Sequence, residues 1–226
     1  MIRRAPVFGS VVLGLVFITG CVPKNEPVLK IVDVSAPAIN CIFDPSCTVS
    51  VTDSSTTPIP MSAGGTGFLQ SRTFAGKPGT PASGLYGYEY RIDLRNAVET
   101  MVDVRGVETK YMPCLRSMTL EFGPIIDTLD YNGDGQAGDQ AYVVTSGGPG
   151  SIGLQSAQKW SNKITFNFAS PICVGGSHRQ GDSTYFFGLV SAQPTRSVTA
   201  PIKETAACAP PRARRGAGAA PPRFLP

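Results

Sequence analysis

Apolar and polar side chains alternate along several short stretches of this chain, and this period of two limits its fold more than any other feature. In the stretch 85–94 the even positions carry Tyr, Ile and Leu, whereas the odd positions include Glu89 and Arg91. Successive side chains of a β-strand point to opposite faces, so the pattern predicts a strand with one buried and one solvated face. The same alternation returns at 117–122 and 163–168. The chain is therefore predicted to be all-β.

Further candidate strands are short and are separated by Gly- and Pro-rich turns. They lie at 28–34, 48–52, 67–74, 101–104, 142–145, 184–190 and 198–202, with turn signals at 77–81, 132–135, 147–150 and 175–178. About eight to ten such strands are typical of an antiparallel β-sandwich, either immunoglobulin-like or jelly-roll-like. We therefore predict a single domain over residues 28–204, with short helical segments only at 96–100 and 154–160.

The first 20 residues have the composition of a bacterial export signal. Arg3 and Arg4 precede an apolar run at 11–18, which is too short to span a membrane because a spanning helix needs about 20 apolar residues. The sequence Ile18-Thr19-Gly20-Cys21 resembles the lipobox of bacterial lipoproteins. This resemblance implies cleavage before Cys21, acylation of its thiol and anchoring to a membrane by two or more acyl chains. An ordinary secretory leader is the alternative.

Under the lipoprotein interpretation, residues 21–27 form a lipidated linker and the domain lies outside the cytoplasm. The residue after the acylated cysteine is Val22 rather than Asp, which in lipoproteins of enteric bacteria implies the outer membrane. Three stretches of the body, at 67–74, 84–94 and 185–191, resemble a set of uncharacterised exported bacterial proteins. That resemblance implies a secreted β-domain and no particular activity.

The formal net charge of +4 resides mainly in the ends of the chain. Arg3 and Arg4 belong to the predicted leader, and four more arginines lie in the Ala/Pro/Gly-rich stretch 205–226, which we predict to be a disordered tail. Without these six arginines the body is slightly acidic. A slightly acidic body argues against a nucleic-acid partner.

The cysteines other than Cys21 predict a disulfide-bonded domain in an oxidising compartment. Antiparallel pairing of two predicted strands would bring Cys114 and Cys173 together, so we predict a bond between them. Cys41 and Cys47 flank a five-residue turn and are predicted to form a local disulfide bond, so that Cys208 is predicted to have no disulfide partner. Free thiols are the alternative. A zinc site is disfavoured because the chain has one histidine and no Cys-x-x-Cys pair.

An acidic loop at 130–139 has oxygen-bearing side chains at alternate positions. Asp130, Asn132, Asp134 and Gln136, with Asp139 further on, are the residue types that wrap Ca²⁺. The opening resembles the D-x-N-x-D-G start of EF-hand and integrin-type propeller loops, but its ending departs from both, since the twelfth position is Ala141. The favoured alternative is a turn in which Asp, Asn and Gly supply the geometry. If calcium binds, its predicted role is to brace this loop.

No catalytic motif stands out. The G-x-G-x-x-G spacing at 148–153 lacks the following helix and the downstream acid of a dinucleotide site. His178 is the only histidine and lies in a polar turn, and the chain has neither a G-x-S-x-G elbow nor an H-E-x-x-H pair. Hydrolysis by two carboxylates that meet only in the fold stays open.

Two aromatic features of the sequence are candidates for a surface on which a ligand such as a sugar ring could stack. The stripe Tyr86, Tyr88 and Tyr90 is predicted to be core, and Trp160, in a polar loop, is the better candidate for an exposed ligand-binding residue. The leading prediction is a non-enzymatic, lipid-anchored β-sandwich that binds an envelope polysaccharide or protein, or serves as a structural module. The alternative is a carbohydrate-active or other hydrolytic surface enzyme that uses acidic residues.

Overall fold

The computed structural model describes residues 27–194 and 200–208, the side chains of 205–208 excepted. The predicted leader with Cys21, and the predicted tail from residue 209 onward, lie outside the described residues. No helix in the described part of the chain is long and apolar enough to cross a membrane.

The chain forms thirteen strands and one helix within these residues. In order they are β1 (Ile31–Ser35), α1 (Ala36–Phe43), β2 (Asp53–Ile59), β3 (Gly64–Gly65), β4 (Gly67–Ala75), β5 (Tyr86–Asp93), β6 (Ala97–Val98), β7 (Thr100–Val104), β8 (Val107–Glu121), β9 (Ala141–Ser146), β10 (Leu154–Trp160), β11 (Lys163–Cys173), β12 (Phe186–Ser191) and β13 (Ile202–Cys208).

Two sheets account for most of the strands. One has six strands in the order β1-β9-β12-β5-β4-β2, and the other has the order β10-β11-β8-β13, with β7 also paired to β8. Strands β3 and β6 form a small third ladder. Among the strand pairings of the described residues, only that of β1 with β9 is parallel. The prediction of an all-β, sandwich-like single domain is therefore confirmed.

The main core lies between the two sheets and follows from the alternation of side chains. Tyr88, Tyr90 and Leu189 point inward from the six-stranded sheet, and Met118 and Phe166 point inward from the other sheet. Each is at least nine-tenths buried. Burial of an aromatic or aliphatic side chain of this size contributes roughly 1.5–3 kcal/mol, so this layer dominates the stability of the fold.

A second core covers part of the outer face of the six-stranded sheet. Helix α1 packs Ile39 and Phe43 there, and Phe43 meets Phe74 edge-on at 4.7 Å between ring centroids. Ser35 caps the N-terminus of the helix, because its hydroxyl accepts a hydrogen bond from the Ala38 N–H at 3.3 Å, and Pro37 lies in the first turn. The sequence analysis did not predict this helix, because eight residues are too few for a clear helical periodicity.

Both predicted disulfide bonds are present, between Cys41 and Cys47 and between Cys114 and Cys173. Cys114 and Cys173 are opposite each other where β8 pairs with β11, as the predicted antiparallel pairing required. Cys208 is the last residue of β13, which continues beyond the predicted domain boundary at 204.

The two predictions of helical promise were wrong. The stretch 154–160 is strand β10, and 96–100 contributes to β6 and β7. Residues such as Leu, Gln, Ala and Lys favour a helix in isolation, but β10 pairs with β11 along its length, from Leu154 opposite Phe168 to Trp160 opposite Lys163. Tertiary pairing therefore overrides the local helix propensity.

The sandwich is joined along one side and open along the other. Before β1, the Leu29 N–H donates to the Ala157 carbonyl of β10 at 2.8 Å, and a few residues later the chain pairs with β9 of the other sheet. At the opposite side, β2 and β13 end their respective sheets, and no strand pairing joins these two edges in the ladders of residues 27–194 and 200–208. The space between the sheets therefore opens to the surface at β2 and β13.

Candidate functional site

A cleft of about 890 Å³ lies at the open side of the sandwich. Strands β2, β4 and β5 form one wall, and β8, β13 and the residues just before β13 form the other. Its volume falls within the range of about 300–1,000 Å³ that is usual for small-molecule sites. The cleft is therefore the first candidate for a ligand site.

Apolar side chains line the deep part of the cleft. Leu69 of β4 and the tyrosines Tyr88 and Tyr90 of β5 face Leu115 and Leu120 of β8 across it. These residues share the inward face of their strands, because the register of β4 with β5 places alternate residues on the same side. The cleft is thus an unfilled continuation of the main core.

The two tyrosine hydroxyls in the cleft differ in their hydrogen bonding. The Tyr88 hydroxyl donates to the Gln193 carbonyl at 2.5 Å. Tyr90 is only 6% exposed, and among the described residues its hydroxyl has no hydrogen-bond partner. Burial, and then the neighbouring Tyr88, raise the pKa of Tyr90, so its hydroxyl stays protonated and able to donate. A ligand in the cleft would meet this donor.

The rim of the cleft is polar and carries acidic groups. Ser55 of β2 and Ser71 of β4 share a hydrogen bond at 2.8 Å between their hydroxyls. Asp53 and Glu204 are exposed on opposite walls, and Glu204 accepts a hydrogen bond from the Tyr111 hydroxyl. Arg72 also touches the cleft, but its guanidinium pairs with a carboxylate on the other face of the sheet.

That carboxylate belongs to Glu89, which is fully buried. The Arg72 Nε donates to it at 2.5 Å and the Tyr142 hydroxyl donates at 3.1 Å. Burial raises the pKa of Glu89, and the charge of Arg72 opposes this only in part. The Arg72 guanidinium also lies 4.1 Å from the centre of the Phe186 ring, which holds it over the sheet.

The prediction that the odd positions of β5 face solvent was therefore wrong. Glu89 is inaccessible and Arg91 is only 3% exposed. Arg91 donates to the side-chain amide oxygen of Gln70 at 2.8 Å and to the Ser183 hydroxyl at 3.1 Å. Because Glu89 and Arg91 are both buried from solvent, a substrate could not reach them, and their hydrogen bonds support the sheet.

In the acidic loop, the carboxylates are used by the loop itself. Asp130 accepts hydrogen bonds from the Gly133 and Gly135 N–H groups, each at 2.7 Å. Asp139 is buried, accepts from the Tyr131 N–H at 2.7 Å and pairs with the Lys30 ammonium at 2.8 Å. These contacts fit the turn interpretation.

The remaining predicted calcium ligands, Asn132, Asp134 and Gln136, lie at the exposed tip of the acidic loop. The backbone N–H of Gln136 and the amide of Asn132 lower the pKa of Asp134. Nowhere in the described residues do three or more His, Cys, Asp or Glu side chains group as metal ligands. Calcium binding at this loop stays a prediction.

The other residues considered from the sequence lie outside the cleft. Trp160 is 42% exposed, as expected, but it ends strand β10 and is not in a loop. His178 is exposed in a turn and does not line the cleft. The glycine-rich stretch 148–153 leads into β10 without a helix, as its missing dinucleotide context predicted.

The cleft could not be predicted from the sequence, because the strand that forms its outer wall, β2, was predicted at the wrong position. Strand β2 was predicted at 48–52, whereas it spans Asp53–Ile59. Its residues are Ser, Thr and Pro for the most part, and six of the seven are exposed, so no apolar alternation marks it. The run of β-branched Thr56 and Thr57 was the only available signal.

Comparisons of the chain with protein-family models, with curated proteins and with solved structures found no match.

Proposed function

We propose that this chain is a lipid-anchored extracytoplasmic binding module whose ligand site is the cleft between its two sheets. The observation that carries the proposal is a cleft of about 890 Å³ lined by the largely buried Tyr90, whose hydroxyl has no hydrogen-bond partner within the described residues. Ligand sites typically combine apolar walls with a few polar groups that orient the ligand. The cleft has both features.

Two separate features support the proposed location outside the cytoplasm: the N-terminal sequence and the disulfide bonds. The lipobox-like sequence before Cys21 supplies the anchor, and residues 21–27 supply a short connection to the domain. The bonds Cys41–Cys47 and Cys114–Cys173 fit an oxidising compartment. In a Gram-negative host, Val22 favours the outer membrane.

Hydrolysis is the second candidate, because Asp53 and Glu204 line the same cleft from opposite walls. Both carboxylates are exposed, whereas the general acid of a glycoside hydrolase is typically held in a more enclosed, apolar setting. Binding is therefore the better-supported function. The variants Asp53→Asn and Glu204→Gln distinguish the two, since a hydrolase would lose turnover while a binding module would keep its ligand.

The anchor is tested by intact-mass analysis of membrane fractions. The wild type should be in the membrane with added acyl mass, and Cys21→Ser should lose both properties. Cys208→Ser is the matched control and should stay acylated. A wild-type product that is water-soluble and lacks acyl mass contradicts the proposal.

The cleft is tested with a screen of glycans, envelope polymers and small amphiphiles against two variants of one strand. Thr56 and Thr57 are adjacent, exposed residues of β2, and only Thr57 lines the cleft. Thr57→Trp should block binding of any ligand found, and Thr56→Trp should leave it unchanged. Equal binding by both variants would place the ligand elsewhere.

A further inference from the structure

We infer that the cleft takes an amphiphile whose polar end is neutral or cationic and carries a hydrogen-bond acceptor near its apolar chain. This inference rests on the proposed function, and it names the class of ligand for the same site. Three properties of the cleft lead to it: its apolar depth, the Tyr90 hydroxyl, and the sign of the charges at its rim.

The depth of the cleft favours a hydrocarbon chain. Ile59, Leu69, Leu115, Leu120 and Ile202 line it from both sheets. The affinity of such walls for a ligand grows with the apolar surface removed from water. A strongly hydrated ligand, such as an unsubstituted sugar, would lose more hydrogen bonds with water than these side chains return.

The Tyr90 hydroxyl adds one directional requirement. The ring is packed among core residues and lies 6.2 Å from the Phe187 ring between centroids, so the position of its hydroxyl is set by the fold. Ser71 lies opposite Tyr90 in the β4–β5 pairing, and its hydroxyl is already bonded to that of Ser55. An ester, ether or amide oxygen on the ligand is the natural acceptor for this donor.

The charges at the rim select against anions. Asp53 and Glu204 lie on the two walls, and the one basic residue among the cleft-lining side chains, Arg72, is committed to Glu89. An anionic head group would therefore meet two like charges with no available cation. A cationic head group would be attracted, weakly at high salt because the rim is exposed to solvent.

The test uses the full chain carrying Cys21→Ser, so that its own acyl groups cannot compete, and three probes with the same ten-carbon chain. The probes are 1-decanoylglycerol, decyltrimethylammonium and decanoate, each titrated calorimetrically below its micelle concentration. The first two should bind with a negative heat-capacity change. Decanoate should bind about tenfold more weakly or not at all.

Two variants assign the binding to the cleft. Tyr90→Phe should weaken 1-decanoylglycerol about fivefold, the usual effect of losing one neutral hydrogen bond, and should leave decyltrimethylammonium unchanged, because that probe has no acceptor. Thr57→Trp should block both probes and Thr56→Trp neither. Ser71→Leu, in the neighbouring strand β4 of the same wall, provides a second block if Thr57→Trp does not fold.

The outcomes separate this inference from the proposed function. Equal affinity for decanoate and 1-decanoylglycerol, or an unchanged affinity in Tyr90→Phe, overturns the ligand class. If none of the probes binds but another ligand is lost in Thr57→Trp alone, the ligand class is wrong and the cleft remains the site. If every ligand binds Thr57→Trp and Thr56→Trp equally, both proposals are wrong.

Discussion

Replacing the buried carboxylate by its neutral isostere, Glu89→Gln, should stabilise the protein at neutral pH. Glu89 is inaccessible to solvent, while its partner Arg72 keeps 30% of its side chain exposed. The glutamine oxygen accepts from Arg72, and its amide donates to the Tyr142 oxygen in place of the bond that the Tyr142 hydroxyl now donates, so both neighbours stay in contact without a buried carboxylate. Removing one partner of an ion pair is destabilising when the charge that remains is buried, whereas Arg72 keeps contact with water, so here the substitution mainly removes the cost of burying the carboxylate.

The pH dependence follows from the raised pKa of Glu89. The folded protein holds this proton more tightly than the unfolded chain, whose carboxyl titrates near the ordinary value of 4.5. The wild type therefore loses stability relative to Glu89→Gln as the pH rises from about this value through the folded pKa. Removing the cost of burying this charge should raise the stability of Glu89→Gln by about 1 kcal/mol at pH 8, and the two proteins should be equally stable at pH 4, where the wild-type carboxyl is protonated.

The measurement is urea unfolding of both proteins at pH 4, 6 and 8, with the thermal midpoint as a second readout. A gain of about 1 kcal/mol corresponds to roughly 2–4 °C in a domain of this size. Glu99→Gln is the matched control, because Glu99 pairs with Lys110 at the surface, where such pairs contribute about 0–1 kcal/mol. A loss of more than about 1 kcal/mol in Glu89→Gln at pH 8 would refute the reasoning, since the attraction of Arg72 would then outweigh the cost of burial.

Three further predictions concern the packing, the disulfides and the acidic loop. Gly188→Ala should lower the free energy of unfolding by about 1–3 kcal/mol, because a Cβ there would lie 2.5 Å from the Tyr142 oxygen. Gly148→Ala is the control and should lower it little, since no atom would lie closer than 3.5 Å to its Cβ; equal losses would contradict the packing described. Replacing both Cys114 and Cys173 by Ala should lower the free energy of unfolding by at most about 4 kcal/mol on the chain-entropy model, since 59 positions separate them. Thermal unfolding with calcium and with a chelator tests calcium binding at the loop 130–139, and an unchanged melting temperature would contradict it.

The strand content was accessible from the sequence because alternation is a short-range pattern, and the disulfide pairing was accessible because each cysteine lies close to a strand that this pattern predicts. The alternation at 85–94 located β5, and the distances of Cys114 and Cys173 from two neighbouring predicted strands located their bond. The burial of Glu89 was not accessible in this way. Alternation predicts that charged odd positions face water, and only the packing of Tyr142 and Arg72 against that face shows that they do not.

The candidate site was the least accessible part, because it lies between segments far apart in the chain. Tyr90 was correctly assigned to the core side of its strand, but the open space beside it depends on where β2 and β13 end their sheets. Strand order is set by pairing between distant residues, such as Asp53 with Thr73 and Ile202 with Met118. No local pattern records those pairings.

The amino-acid sequence alone therefore determined that this chain is built of short strands with two disulfide bonds, because side-chain alternation and the position of each cysteine beside a strand or turn are local patterns. Only the tertiary structure decided which sheet edges stay apart, which charges are buried and where a ligand would fit. The physical reason is that the cleft exists where the facing surfaces of the two sheets do not contact each other. Whether they meet depends on the order and twist of complete sheets, to which every strand contributes.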